Sequence, residues 1–118
     1  MHTDLKVYQK SMDFVLEIYR ITAVFPSEEK YGLISQLRRA AVSVPCNIAE
    51  GVSKNSTKDY IRFLYISLGS TSEIECLLEI AKRLTYCNST SILTNNLTII
   101  KKMLIKLIAS LKMRERGK

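Results

Sequence analysis

The side chains best suited to chemistry form one dense polar set between residues 36 and 50. The set consists of Gln36, Arg39, Ser43, Asn47 and Glu50. With about 100° between successive residues of a helix, all five share one flank of an apolar stripe, and Arg38 lies on the other flank. They could form a polar pocket. We favour the alternative, a hydrogen-bonded network that fixes helix register or a subunit contact, because most ion pairs of this kind are structural.

The sequence lacks the usual motifs of enzyme active sites. It has no Gly-rich phosphate loop, no H-E-x-x-H, and no Ser or Cys nucleophile beside a histidine. Di-iron bundles need two Glu-x-x-His motifs, and this chain has only one histidine, His2, so that class is excluded. The three cysteines, Cys46, Cys76 and Cys87, form no C-x-x-C pair, and we expect neither a metal nor a cofactor. We therefore predict that the protein is not an enzyme, and keep an unfamiliar site around residues 36–50 as the weakest alternative.

The balance of charge favours a polyanionic partner. The chain carries 18 Lys and Arg against 11 Asp and Glu, a net charge of +7, and basic clusters contact phosphates without reading base sequence. The candidate contacts are Arg38, Lys54, Lys58, Arg62, Lys101, Lys102, Lys106, Lys112, Arg114 and Arg116. Few aromatic residues interleave with them, so base stacking is not supported. Tyr60 and Tyr65 are the nearest, and we expect both to pack inside the protein.

We expect no membrane segment. No run of about 18 apolar residues is present to span a bilayer, and the N-terminus lacks the apolar run of a signal peptide. A basic amphipathic fourth helix could lie on a membrane surface, but its heptad seam argues for a protein partner. The odd number of cysteines without a C-x-x-C pair fits reduced thiols, so we expect a cytoplasmic protein.

Four segments with helical periodicity must position these side chains. The chain contains only 2 Pro and 4 Gly, which favours long helices over strands. The predicted helices run from about Asp4 to Val24 with Thr3 as N-cap, from Ser27 to Gly51, from Ser56 to a break at Cys87, and from Ser91 to Arg116. Their short connections predict an antiparallel, up-down-up-down four-helix bundle, a single all-α domain over residues 1–118.

Proline and glycine add predictions about helix geometry. Pro45 lies inside the second helix, where we expect a kink rather than an end, since the apolar spacing continues to Ile48. Gly51 is predicted to follow the end of that helix. Gly69 and Ser70 interrupt the third helix with small residues and predict a close approach between helices there.

The first and last helices carry apolar residues on more than one side. In the first, the stripe expected to face the core is Leu5, Tyr8, Met12, Val15, Leu16, Tyr19 and Ala23. The last has a heptad seam of Leu93, Leu97, Ile100, Leu104, Leu107 and Leu111. The apolar residues that lie outside these two stripes predict a homo-oligomer, because monomers rarely expose large apolar patches. The predicted interface comprises Val7, Phe14, Ile18, Ile21, Ile99, Met103 and Ile105.

Two blocks of the sequence resemble a known family. They read LISQLRRAAVSVPCNIAEG (residues 33–51) and YIRFLYISLGSTSE (residues 60–73). Both are similar to the four-helix-bundle proteins encoded in intervening sequences of bacterial 23S ribosomal RNA genes, to which the accessory variability protein of diversity-generating retroelements is related. The resemblance covers nearly the whole chain. It implies an antiparallel bundle in a ring-like homopentamer that binds RNA or DNA, and in the retroelement relatives a reverse transcriptase as partner.

The chain departs from the family pattern at two places. After Gly51 the family often has an aromatic residue, a glycine and an arginine, where residues 52–54 here are Val-Ser-Lys. Before Gly69 it often has an arginine, where this chain has Leu68. The predicted function is a non-enzymatic, oligomeric, basic protein that binds nucleic acid, and the alternative is a scaffold that docks an acidic or reverse-transcriptase-like protein.

Overall fold

Four long helices account for most of the chain. The computed structural model describes residues 1–117, with α1 (Lys6–Thr22), α2 (Leu33–Val52), α3 (Thr57–Arg83) and α4 (Ser91–Arg116). Short 3₁₀ turns, His2–Asp4 and Ser27–Glu29, precede α1 and α2, and the described residues include no strand. The helices pack side by side over 52 × 23 × 20 Å, which confirms the predicted all-α four-helix bundle. Within this part of the chain, none of them has the length and apolar character needed to cross a bilayer.

Contacts between the helices establish their antiparallel order. Gly51, at the end of α2, lies against the first turns of α3. Lys112, near the end of α4, donates through Nζ to the Tyr65 hydroxyl, early in α3, over 2.6 Å. Arg38, early in α2, donates to the hydroxyl of Thr22 at the end of α1 over 2.9 Å. The starts of α1 and α3 therefore share one end of the bundle with the ends of α2 and α4.

The core side of α1 differs from the predicted one. Its buried residues are Val7, Ser11, Phe14, Ile18 and Thr22, whereas Leu16 of the predicted stripe is 61% exposed. The core side of α1 is therefore the one that carries Val7, Phe14 and Ile18, while Leu5, Tyr8 and Val15 of the predicted stripe are half-buried beside it. The prediction failed because Ser11 and Thr22 interrupt the true core stripe with hydroxyls. Each hydroxyl is satisfied by donating to a main-chain carbonyl one turn earlier, at 2.8 and 2.7 Å.

The fourth helix has the predicted bounds and most of the predicted seam. Its buried residues are Leu93, Leu97, Ile100, Leu104, Ile108 and Leu111. Ile108 takes the place predicted for Leu107, which is half-buried. The physical reason is that a straight helix, with about 3.6 residues per turn, drifts away from a seven-residue repeat.

Of the four predicted helix starts, those of α3 and α4 are confirmed and the other two are wrong. Ser56 caps α3, since its hydroxyl oxygen accepts the main-chain N–H three residues on at 3.0 Å. The start predicted at Thr3 is wrong because residues 2–4 form a separate 3₁₀ turn. The start predicted at Ser27 is wrong for the same reason, and α2 begins at Leu33.

The closest approach between helices lies at Gly51 rather than at Gly69. A Cβ on Gly51 would lie 2.9 Å from Cδ1 of Tyr60 and 3.1 Å from Cβ of Phe63. Gly51 belongs to α2 instead of following its end, and its missing side chain lets α3 start directly against α2. A Cβ on Gly69 would meet nothing within 4 Å in the described chain, so the approach predicted there is wrong. The second helix continues through Pro45, and the kink stays a prediction.

Candidate nucleic-acid interface

The half-buried part of the polar set in α2, Ser43 and Asn47, joins two helices. Asn47 Nδ2 donates to the hydroxyl and carbonyl oxygens of Ser43 at 2.9 and 2.8 Å. The hydroxyls of Ser43 and Ser70 share a hydrogen bond of 2.8 Å, and the Ser67 hydroxyl donates to the carbonyl of Val44 at 2.8 Å. Because Ser67 and Ser70 belong to α3, these bonds fix the register of α3 against α2.

The rest of the polar set faces solvent. Gln36, Arg39 and Glu50 are exposed, and within residues 1–117 none of them bonds to the half-buried part. Glu50 pairs instead with Lys54, one turn later, at 3.3 Å. The predicted network of five residues is therefore too large: only its half-buried pair, Ser43 and Asn47, is connected.

The described chain places no group of three or more His, Cys, Asp or Glu side chains where they could hold a metal ion. Cys46 and Cys76 are exposed, far apart in the sequence and on different helices. Cys87 is half-buried, and its burial raises the pKa of its thiol, an effect that the charge of Lys82 partly offsets. A thiol with a raised pKa is a weaker nucleophile at neutral pH.

Six of the predicted phosphate contacts come together at one end of the bundle. They are Lys54, Lys58, Arg62, Lys112, Arg114 and Arg116, and we call this group the basic end. One of them follows α2, two lie in the first turns of α3, and three lie in the last turns of α4. The antiparallel order of the helices brings these three segments together. Lys54 Nζ lies 5.1 Å from the ring centroid of Phe63 in α3. Burial raises the pKa of the Tyr60 hydroxyl, and the nearby positive charge of Arg114 partly offsets that rise.

Carboxylates neutralise only part of the basic end. Lys54 pairs with Glu50 at 3.3 Å and Arg62 pairs with Asp59 at 3.8 Å, both at the surface. Exposed pairs of this kind contribute little free energy, so a phosphate can compete for either cation. Lys58 and the three α4 cations of the basic end have no carboxylate within 4.0 Å among residues 1–117. The basic end therefore keeps a surplus of positive charge.

Aromatic rings orient several of these cations. Besides its hydrogen bond to the Tyr65 hydroxyl, Lys112 Nζ lies 5.1 Å from the Tyr65 ring centroid. The guanidinium of Arg62 lies 4.6 Å from the ring centroid of Phe63. Tyr65 is 44% exposed, so it orients a cation at the surface rather than packing inside. Its contact with Lys112 joins two helices and has no signal in the local sequence.

The other predicted phosphate contacts lie elsewhere. Lys101 forms an ion pair with Glu75 across α3 and α4. Arg38 is bonded to the end of α1, at the opposite end of the bundle. Lys102 and Lys106 are exposed along α4. These four residues do not join the basic end, and their contact with phosphates stays a prediction.

Part of the predicted subunit interface is wrong. Val7, Phe14 and Ile18 are buried within the chain, with 4%, 3% and 0% of their surface exposed. Side chains that are buried in their own bundle leave no surface for a partner. The error follows directly from the wrong prediction of which side of α1 faces the core.

The remaining predicted interface residues stay at the surface. Ile99 and Ile105 are exposed, whereas Ile21 and Met103 are half-buried. Ile21, Ile99 and Met103 each line a different concavity between α1 and α4. Two further apolar residues, which the sequence analysis did not assign to the interface, are more exposed. Leu16 on α1 is 61% exposed and Ile92 on α4 is 73% exposed.

Comparisons with known proteins identify similar sequences and folds. A family model described as 23S rRNA-intervening sequence protein matches residues 3–106. The chain is also similar to a crystal structure of a protein with unknown function from the S23 ribosomal protein family, from Bacteroides thetaiotaomicron VPI-5482. The two are 28% identical, with a TM-score of 0.81, and the match covers 92% of this chain and 99% of that chain. No curated protein matches at a significant level.

Proposed function

We propose that this chain, which belongs to the 23S rRNA-intervening sequence protein family, is a non-enzymatic, cytoplasmic protein that binds RNA or DNA through its phosphates. The observation that carries the proposal is the basic end. There, Lys58 and three cations of α4 lie together without carboxylate partners in the described chain.

The density of phosphates on a duplex suits such a surface. Double-stranded DNA carries one negative charge per ~1.7 Å of helix axis, and the bundle is 23 × 20 Å in its two shorter dimensions. One basic end therefore spans several phosphates. Binding releases condensed counterions, and Lys and Arg contacts to phosphates carry no base sequence information. We expect binding that is sensitive to salt and insensitive to sequence.

A matched pair of charge variants tests the proposal. The basic-end variant is Lys58→Gln/Arg114→Gln/Arg116→Gln. The control variant, Arg20→Gln/Lys82→Gln/Arg83→Gln, removes the same charge at the opposite end. In fluorescence anisotropy titrations with labelled duplex RNA and duplex DNA at about 50 mM salt, we expect the basic-end variant to bind about tenfold more weakly. The control should bind within about twofold of the wild type, because Debye screening limits the effect of distant charges.

Two outcomes would contradict the proposal. Equal losses in both variants would assign the binding to net charge alone and not to the basic end. No salt-sensitive binding of either duplex by the wild type would favour the alternative function, a scaffold that docks an acidic protein.

We also propose that the protein acts as a homo-oligomer, and the resemblance noted in the sequence implies a ring of five copies. Exposed apolar side chains on two helices support an assembly: Leu16 on α1, and Ile92 and Ile99 on α4 beside the concavities that α4 forms with α1. Contacts between two different surfaces are head-to-tail, and head-to-tail contacts close into rings when the rotation between copies allows it.

A further inference from the structure

A second concave surface lies at the end of the bundle opposite the basic end. It measures about 510 Å³ and is formed by the end of α1, the residues before α2 and the first half of α2. It is open to solvent rather than enclosed. Tyr19, Tyr31, Lys30, Arg38 and Arg39 contribute to its walls, and no acidic residue does so in the described chain.

Tyr31 presents an aromatic ring to solvent. Its side chain is 88% exposed, which is unusual for a large ring with no packing role. The Lys30 ammonium lies 5.4 Å from its centroid on one side. An exposed aromatic face beside a cation is the combination that stacks a nucleobase and contacts its phosphate. The sequence did not indicate this pair, because Tyr31 and Lys30 lie outside the predicted basic clusters.

Arg38 is held in place before any ligand binds. Its Nε donates to the Thr22 hydroxyl at 2.9 Å and its Nη2 donates to the carbonyl of Tyr19 at 3.3 Å. Its guanidinium also lies 4.4 Å from the ring centroid of Tyr19. A guanidinium has five N–H donors, of which these bonds use two. A fixed cation with further donors loses little conformational entropy when it binds an anion.

The charge of the concavity argues against another copy of this chain as its occupant. Lys30, Arg38 and Arg39 have no carboxylate within 4.0 Å in residues 1–117. A copy with a net charge of +7 would have to bring carboxylates into this surface to avoid repulsion. An anion that also carries a flat ring can pair with the cations and stack on the ring of Tyr31. The exposed position of Tyr31 leaves room for a strand to continue in either direction.

We propose that this concavity binds an unpaired nucleotide of single-stranded RNA or DNA. The base stacks on Tyr31, and Arg38, Arg39 and Lys30 contact the phosphates on either side. The inference goes beyond the proposed function, which assigns duplex phosphates to the basic end, and it adds a site that distinguishes unpaired from paired strands.

Two probes separate stacking from phosphate contact. One is a labelled thymidine oligonucleotide of about 12 residues, and the other is an abasic strand of the same length, which keeps the phosphates and lacks the bases. The wild type should bind the first on the order of tenfold more tightly than the second. Tyr31→Ala should abolish that difference without weakening duplex binding, whereas Tyr31→Phe should preserve it, since stacking needs the ring and not the hydroxyl.

Further variants complete the test. Arg39→Gln should weaken both single strands, and Tyr65→Ala, a tyrosine at the basic end, should keep the preference for bases. The inference would be overturned if Tyr31→Ala still preferred the thymidine oligonucleotide to the abasic strand. It would also be overturned if light scattering showed that Tyr31→Ala changes the particle mass, because Tyr31 would then belong to a contact between copies. Competition by thymidine monophosphate at the same concentration as the oligonucleotide would also overturn it, because the site would then take free nucleotides. The proposed function is tested separately by the duplex titrations, in which Tyr31→Ala should bind like the wild type.

Discussion

At the scale of single residues, one carboxylate connects three parts of the chain. Glu29 accepts the main-chain N–H of Leu33 at 3.1 Å and the hydroxyl of Tyr86 at 2.9 Å. The first bond caps the start of α2 with a negative charge, which the helix dipole favours. The second ties the connection between α3 and α4 to the same point. The bond from Leu33 and then that from Tyr86 hold the pKa of Glu29 below its usual value of 4.5.

This lowered pKa predicts a pH dependence of stability. A carboxyl whose pKa is lowered by folding stabilises the protein above its unfolded pKa, and the stabilisation is lost as the pH falls through the folded pKa. We expect Glu29→Gln to lower the thermal midpoint at pH 7 by a few degrees, on the order expected for one surface interaction. The difference from wild type should shrink below pH 4.5. Glu28→Gln, which removes the same charge without these bonds, is the control, and an equal shift in both variants would contradict the role of Glu29.

At the scale of helices, the contact between α2 and α3 depends on the absence of a side chain at Gly51. Its Cβ position is 2.9 Å from a ring atom of Tyr60 and 3.2 Å from the Tyr60 carbonyl oxygen. The carbonyl oxygen cannot move without displacing the first turn of α3. Gly69 lies inside α3 with open space around its Cβ position. Both glycines are helical, Gly51 in the last turn of α2 and Gly69 in the middle of α3, and they are opposite in packing.

We expect Gly51→Ala to destabilise the protein by about 1–2 kcal/mol. Overpacking costs roughly 1–3 kcal/mol, and the better helix propensity of Ala returns up to about 1 kcal/mol. Gly69→Ala should stabilise by about 0.5–1 kcal/mol, since it gains the propensity without a clash. Urea denaturation at one fixed protein concentration measures both. Stabilisation of similar size in both variants would show that α3 does not start against Gly51.

The sequence predicted the helices better than it predicted their faces. The bounds of α4 and the cap at Ser56 follow from local signals, namely periodicity and capping chemistry. The inward side of α1 could not be predicted, because both of its stripes are apolar and the true one contains Ser11 and Thr22. Their hydroxyls cost little when buried because they bond within the same helix. Only packing against the other helices decides between such stripes.

At the scale of the whole molecule, the candidate site depends on how chain segments converge. The basic residues were visible in the sequence, but their division into a basic end and scattered cations follows from the antiparallel order. Lys101 shows why charge pairing could not be predicted from the sequence, since its partner Glu75 is on another helix. In a cyclic oligomer every copy contributes one basic end. Linked sites of this kind raise the overall affinity through effective concentration without any new contact.

The proposed oligomer predicts a particle mass that is a multiple of the 13.5 kDa chain, fivefold for a pentamer. We expect Leu16→Glu to reduce the mass measured by light scattering after gel filtration, because a buried unpaired charge destabilises an apolar contact. Ile80→Glu, an exposed apolar position on α3, is the control and should keep the wild-type mass. A wild-type mass of 13.5 kDa would contradict the assembly.

The salt dependence of duplex binding tests the role of the basic end most directly. The logarithm of the binding constant for B-DNA falls with the logarithm of salt concentration by about 0.9 for each phosphate that a cation neutralises. Removing Lys58, Arg114 and Arg116 by substitution with Gln should therefore make the slope shallower by about 3 for each chain engaged. The control variant with substitutions at Arg20, Lys82 and Arg83 should keep the wild-type slope. Equal slopes for the wild type and the basic-end variant would show that these cations do not contact phosphates.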